Sequence, residues 1–223
     1  IMNEHLVKVI EIAGKYDLEP MIWSDMYFRL GSETGEYYDL DADIPEDVIE
    51  DIPKNVELVY WDYYHNEKDF YVEYIKKHKS FGNKLIFAGG IWTWAGMVPN
   101  YAKTFVTTNA ALSACKEEGV KEVVPTLWGD NGAETNFFSA LLGLQLFAEH
   151  GYARELDMDK LKRRFKFCTG ADYDAFMSLN EIDEIPEVAE ENIKNMSNPS
   201  KYLLWQDILL GLFDKNLEGL NLG

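Results

Sequence analysis

Residues 56–64 read VELVYWDYY. A short apolar run enters the stretch, and a knot of aromatic rings around one carboxylate, Asp62, leaves it. The run is too short for a buried helix and shows no polar–apolar alternation, which predicts a parallel strand covered on both faces. The same grammar recurs in EPMIWSDM (19–26), KLIFAGGIW (84–92) and EVVPTLWGD (122–130). Tryptophans mark the four runs at 23, 61, 92 and 128, a spacing that suits repeated βα units.

Helical patterns fill the gaps. Residues 45–51 form a short helix after a polar loop. Residues 66–79 put Phe70, Tyr71, Tyr74 and Ile75 on one face. Residues 99–118 stop at Gly119, a C-terminal cap, and residues 134–149 form an apolar helix before Gly151. The opening IMNEHLVKVIEIAGKY is already helical. Parallel strands with covering helices leave a doubly wound sheet or a (β/α)8 barrel. No G-x-G-x-x-G or P-loop pattern follows any strand, so nucleotide-binding forms lose ground. The expectation is α/β, with residues 1–151 forming the C-terminal half of a (β/α)8 TIM barrel of about four βα units. Residues 152–223 read as a helical extension, in DMDKLKRRFKF, DYDAFMSL, IPEVAEENIKNM and SKYLLWQDILLGLF. The chain reads as a piece of a longer polypeptide.

The charge narrows the partners. Of 223 residues, 39 are acidic and 21 basic, for a net charge of −18. Nucleic acid and anionic membranes need basic footprints, so both are excluded as partners, and a neutral ligand is expected. No run of 18 apolar residues spans a membrane. No signal-like region is visible, which in a piece of a longer chain says little about the parent; the expected location is the cytoplasm. Cys115 and Cys168 read as scattered small hydrophobes, and His5, His65, His78 and His150 make no chelating pair, so no metal or other cofactor is expected.

Chemistry gathers at the strand ends. They carry Trp23 and Asp25; Trp61, Asp62, Tyr63 and Tyr64; Trp92 and Trp94; and Trp128 and Asp130. Five of the six tryptophans lie there, and Trp205 alone sits in the helical tail. In a βα barrel these ends converge on one mouth. Indoles offer flat apolar faces and carboxylates accept hydrogen bonds, which together match the apolar C–H faces and hydroxyls of a sugar. The competing readings are core packing for each tryptophan and helix capping for each aspartate. The adjacent pair Asp183-Glu184 lies in the tail with no strand before it and reads as solvated surface.

In order, PMIWSDM, YWDYY, AGGIWTWAG and TLWGDNGAE resemble the C-terminal half of the catalytic barrel of glycoside hydrolase family 20, the exo-acting β-N-acetylhexosaminidases. The likeness is to a bacterial branch with a helical C-terminal region. It implies substrate-assisted retaining catalysis, in which the 2-acetamido oxygen of a terminal N-acetylhexosamine attacks C1. By resemblance, Trp23 and Trp61 wall the acetamido pocket, Trp128 stacks beneath the ring, and Asp130 binds distal hydroxyls. Trp92 and Trp94 stand where many members carry Tyr-x-Asp, so the tyrosine on the acetamido oxygen is expected to be Tyr63 or Tyr64.

The catalytic Asp-Glu pair of that family would precede Ile1, so residues 1–223 alone are expected to be inactive. A non-catalytic sugar-binding barrel stays open, as do another barrel glycosidase using Asp25, Asp62 or Asp130 and a plain βα domain with core tryptophans. A half barrel leaves two open sheet edges, which a second copy could pair.

Overall fold

A computed structural model describes residues 2–183, 199–207 and 209–218. The predicted helix IPEVAEENIKNM and Glu184 lie outside the described residues. The elements run α1 (Met2–Gly14), β1 (Met21–Trp23), α2 (Asp25–Gly31), α3 (Glu46–Glu50), β2 (Glu57–Trp61), α4 (Lys68–Lys79), β3 (Leu85–Gly90), α5 (Tyr101–Glu117) and β4 (Glu122–Thr126). They continue with α6 (Leu141–Tyr152), α7 (Met158–Thr169), α8 (Tyr173–Met177), α9 (Pro199–Trp205) and α10 (Asp214–Leu217). The class is α/β, with one four-stranded sheet in the order β1-β2-β3-β4. β1 pairs in parallel with β2, and β2 with β3.

The chain groups into two compact units, Ile1–Gly89 with Ala110–Val124, and Gly90–Asn109 with Pro125–Gly223. In the first, register sorts the strand side chains onto two faces. Ile22 stands opposite Leu58 and Tyr60 opposite Phe87. Helices cover that face. Leu6 and Ile10 of α1 pack with Val56 and Ile22, and Tyr60 meets Tyr71, Tyr74 and His78 of α4. Trp23 pairs with Val59 and Trp61 with Ala88, so both tryptophans share the opposite face. There Val59, Ile86 and Ala88 form a small cluster with Trp61 against it.

β2 and β3 are buried on both faces, as the apolar runs predict. β1 departs from that prediction. It is three residues long at the sheet edge, with Met21 and Trp23 exposed. β4 is also an edge strand with an exposed Val124, and an edge is where a strand tolerates Pro125.

In the second unit, Tyr101, Leu142, Leu146, Leu161 and Phe165 form one fully buried cluster. It joins α6 to α7, with Tyr173, Phe176 and Met177 of α8 against it, so α7 and α8 share a core with the helix before residue 152. The predicted helix over 134–149 begins later, at Leu141. Two 3-10 turns, Asp130–Gly132 and Phe137–Ala140, precede it, because the Asn136 side chain takes the Phe138 N–H and fixes a tight turn there. Gly119 adopts φ +68° after α5, the left-handed cap that the sequence predicts.

Candidate functional site

The strand-end residues fall in both units. In the first, Trp61 ends β2 and its indole Nε1 donates to Asp25 Oδ1 at 2.9 Å. Asp25 opens α2, and no side chain caps that helix at Ser24. The capping alternative for Asp25 is therefore replaced by a sideways bond to the neighbouring strand end. Trp23 is 41% exposed.

Rings surround Trp61. Tyr38 lies edge-on at 5.4 Å, Tyr63 is tilted at 5.4 Å, and Tyr37 sits at 6.0 Å. Tyr37 and Tyr38 escaped the sequence reading because they lie in a polar loop after α2, far in sequence from any strand end. Three long-range bonds hold that loop. Tyr74 donates from its hydroxyl to the Tyr37 carbonyl at 2.5 Å, Lys77 donates to the Ala42 carbonyl at 3.0 Å, and the Tyr38 hydroxyl donates to the Trp61 carbonyl at 3.1 Å. Burial, and then the nearby Asp62 carboxylate, push the Tyr38 hydroxyl far above its ordinary pKa, so it stays a donor. Gly31 is needed where the loop leaves α2, since a Cβ there would sit 2.8 Å from the Asp43 carbonyl oxygen. Beside Tyr38 opens a cavity of about 490 Å³ whose lining includes Glu33, Glu36, Asp39, Asp41 and Asp43, a poor setting for any anion.

Asp62 is only 1% exposed. Its Oδ2 accepts the Tyr60 hydroxyl at 2.8 Å and lies 2.7 Å from His65 Nδ1. Its Oδ1 accepts the backbone N–H groups of Tyr64 at 2.9 Å and His65 at 3.4 Å. With both oxygens turned inward, Asp62 organises the turn that carries Tyr63 and Tyr64. Tyr63 is buried, its hydroxyl included, whereas Tyr64 is half-buried.

In the second unit, Trp92 and Trp94 stack at 4.4 Å and are 1% and 8% exposed. Thr104 accepts the Trp92 N–H at 3.0 Å. Both rings therefore lie in the interior of this unit. Trp128 is 37% exposed and Asp130 is exposed at the start of its 3-10 turn. Thr93 Oγ1 reaches the Trp128 carbonyl at 3.5 Å, and Thr135 reaches the Gly96 carbonyl at 2.5 Å, which ties this loop down. The strand-end residues that keep exposed or half-buried surface are thus Trp23, Asp25, Trp61 and Tyr64 in one unit and Trp128 and Asp130 in the other.

Among the described residues, no group of three His, Cys, Asp or Glu side chains could hold a metal ion, and no helix is long and apolar enough to cross a membrane.

Residues 174–223 match the family model described as Glycoside Hydrolase 20C C-terminal domain. The match covers under a quarter of the chain. It begins within α8 and takes in α9 and α10. It supports membership of glycoside hydrolase family 20. A comparison with curated proteins found no match.

Proposed function

We propose that this chain belongs to an exo-acting β-N-acetylhexosaminidase, an enzyme that removes terminal β-linked GlcNAc or GalNAc by substrate-assisted retaining catalysis. The observation that carries the reading is the match of residues 174–223 to a family 20 C-terminal domain. It is independent of the strand-end motifs, which lie upstream of residue 174 and resemble the same family. The strand order supports a barrel: β1-β2-β3-β4 runs without the reversal that defines a doubly wound sheet.

In this reading the acetamido group lies against Trp23 and Trp61. By the motif resemblance alone, Trp128 of the second unit is a stacking face for a sugar ring and Asp130 an acceptor for hydroxyls. Tyr64 is preferred over Tyr63 for the acetamido oxygen, since the Tyr63 hydroxyl is buried. The walls have one chemical task. The acetamido oxygen is the nucleophile, and its attack on C1 is fast only if the group is held in a near-attack pose, shielded from water. A glutamic acid then protonates the leaving oxygen and a neighbouring aspartate orients the acetamido N–H. These two groups belong upstream of Ile1 in this reading. The scheme with two enzyme carboxylates is disfavoured here, because Asp62 and Asp25 already have internal partners.

The test is a titration of residues 1–223 with N-acetylglucosamine, N-acetylgalactosamine and glucose, read by tryptophan fluorescence. Binding of either N-acetyl sugar with no response to glucose supports the reading, and an equal response to all three rejects it. Purified residues 1–223 should not hydrolyse a chromogenic N-acetylglucosaminide. A longer polypeptide with an upstream Asp-Glu pair should.

A further inference from the structure

The bond between Asp25 and Trp61 gives α2 a role beyond covering the sheet. Asp25 and Arg29 are four residues apart on α2, so they lie one above the other on one helix face. Asp25 touches the Trp61 indole directly, and Arg29 touches Tyr37 beside it. Asp25 Oδ1 accepts the Trp61 Nε1–H at 2.9 Å. Arg29 Nη1 donates to the Tyr37 hydroxyl at 2.7 Å, and its guanidinium lies 4.8 Å from the centre of that ring. Tyr37 in turn stands 6.0 Å from Trp61.

We propose that Asp25 is a positioning residue, whose carboxylate fixes the Trp61 indole as a preformed wall of the sugar pocket while Arg29 braces the same indole through Tyr37. The proposal rests on the sugar-binding reading for its consequence, though not for the bond itself. An indole has one polar atom and can turn over about its second side-chain torsion. Only one of the two orientations points Nε1 at Asp25, so the hydrogen bond selects it. The acceptor is ionised, which makes the bond stronger than one to a neutral group. A wall that is already oriented costs the ligand no ordering on arrival.

The competing role for Asp25 is direct contact with the sugar through Oδ2. The two roles separate by substitution. Asp25→Asn keeps an oxygen acceptor but loses the charge, and Asp25→Leu loses both. The indole of Trp61 is followed directly by its N–H signal in 15N-tryptophan-labelled protein, assigned by its loss in Trp61→Phe. Affinity for N-acetylglucosamine is measured by NMR titration of residues 1–223.

Positioning predicts that Asp25→Leu weakens binding about tenfold and Asp25→Asn by less than about threefold. It predicts that the Leu effect vanishes in the Trp61→Phe background. The Trp61 N–H signal should move and exchange faster in Asp25→Leu. The proposal is overturned if Asp25→Asn is as damaging as Asp25→Leu, if Asp25→Leu keeps its full effect without Trp61, or if the indole signal is unchanged. Should Asp25→Leu fail to fold, the Asn variant decides by the same limit. If no protein binds the sugar, the family reading of the pocket fails, and the indole signal alone decides whether Asp25 holds Trp61.

Discussion

The Ser24 hydroxyl lies 2.7 Å from His78 Nε2, and both side chains are 1% exposed. Ser24 is the residue between Trp23 and Asp25, so this contact anchors the β1 strand end to α4. His78 Nδ1 lies 2.8 Å from the Tyr74 carbonyl, which can only accept. The proton is therefore on Nδ1, and the single Ser24 hydroxyl proton is shared between Nε2 and the Val59 carbonyl, which lies 2.9 Å from Oγ. Burial lowers the His78 pKa to about 3, against the smaller opposing effect of the Tyr74 bond.

That shift makes stability depend on pH. Folding holds His78 neutral, whereas the unfolded chain takes up a proton near pH 6.5. The contribution is complete above about pH 6.5 and is lost progressively as pH falls toward about 3. At the steepest it amounts to about 1.4 kcal/mol per pH unit. Urea unfolding between pH 4 and 8 should show this slope, and His78→Gln should flatten it. An unchanged slope in the variant would assign the acid sensitivity to other groups.

The strand ends were legible in the sequence as a set, but not their orientation. A strand that is apolar on both faces has no period, so VELVYWDYY does not say that Tyr60 faces α4 while Trp61 faces away. The same silence hid the inward turn of Asp62, whose partners are Tyr60, Tyr64 and His65. Helix ends were legible in part: Gly119 closes α5 at φ +68° as read, whereas α6 runs through Gly151 to Tyr152. Tyr37 and Tyr38 were beyond reach, since only long-range bonds to Tyr74 and Trp61 bring their loop to the site.

Two tryptophans of the second unit should respond oppositely to truncation. Trp92 is 1% exposed, so Trp92→Ala should cost about 3–5 kcal/mol of stability. Trp128 is 37% exposed, so Trp128→Ala should leave the melting temperature nearly unchanged. In the proposed function it should instead weaken N-acetylglucosamine binding about tenfold. Thermal melts and sugar titrations of the two variants check both halves. A Trp128→Ala protein that unfolds easily yet binds normally contradicts the assignment.

The Glu149 carboxylate is buried on α6, and Arg164 Nη1 on α7 donates to both of its oxygens at 3.1 Å. Gln145 adds a further bond to Oε1 at 2.9 Å. Arg164→Ala leaves a buried charge with one neutral donor. The expected loss is about 1.5–3 kcal/mol, below the figure for fully buried pairs because the guanidinium is open to solvent. Arg164→Ala with Glu149→Leu should recover most of it, since an apolar side chain does not need the partner. Denaturant midpoints for the three variants give the comparison.

Gly143 sits in α6 where Ile91 leaves no room. A Cβ at 143 would lie 2.6 Å from Ile91 Cγ2 and 2.8 Å from its Cγ1. Ile91 is completely buried and β-branched, so it cannot swing aside without leaving its rotamer. Ile91 also precedes the Trp92–Trp94 stack, and its N–H bonds to the Thr126 carbonyl at 2.9 Å, which fixes its backbone. Gly143→Ala should therefore destabilise by about 1–3 kcal/mol, although alanine is the better helix former. Pairing it with Ile91→Ala frees the space on the other side of the contact. The double variant should be more stable than the sum of the two single losses predicts, a coupling that urea denaturation of all four proteins measures. Simple additivity would mean that helix α6 shifts to admit the methyl group, and that the close approach is not what requires glycine at 143.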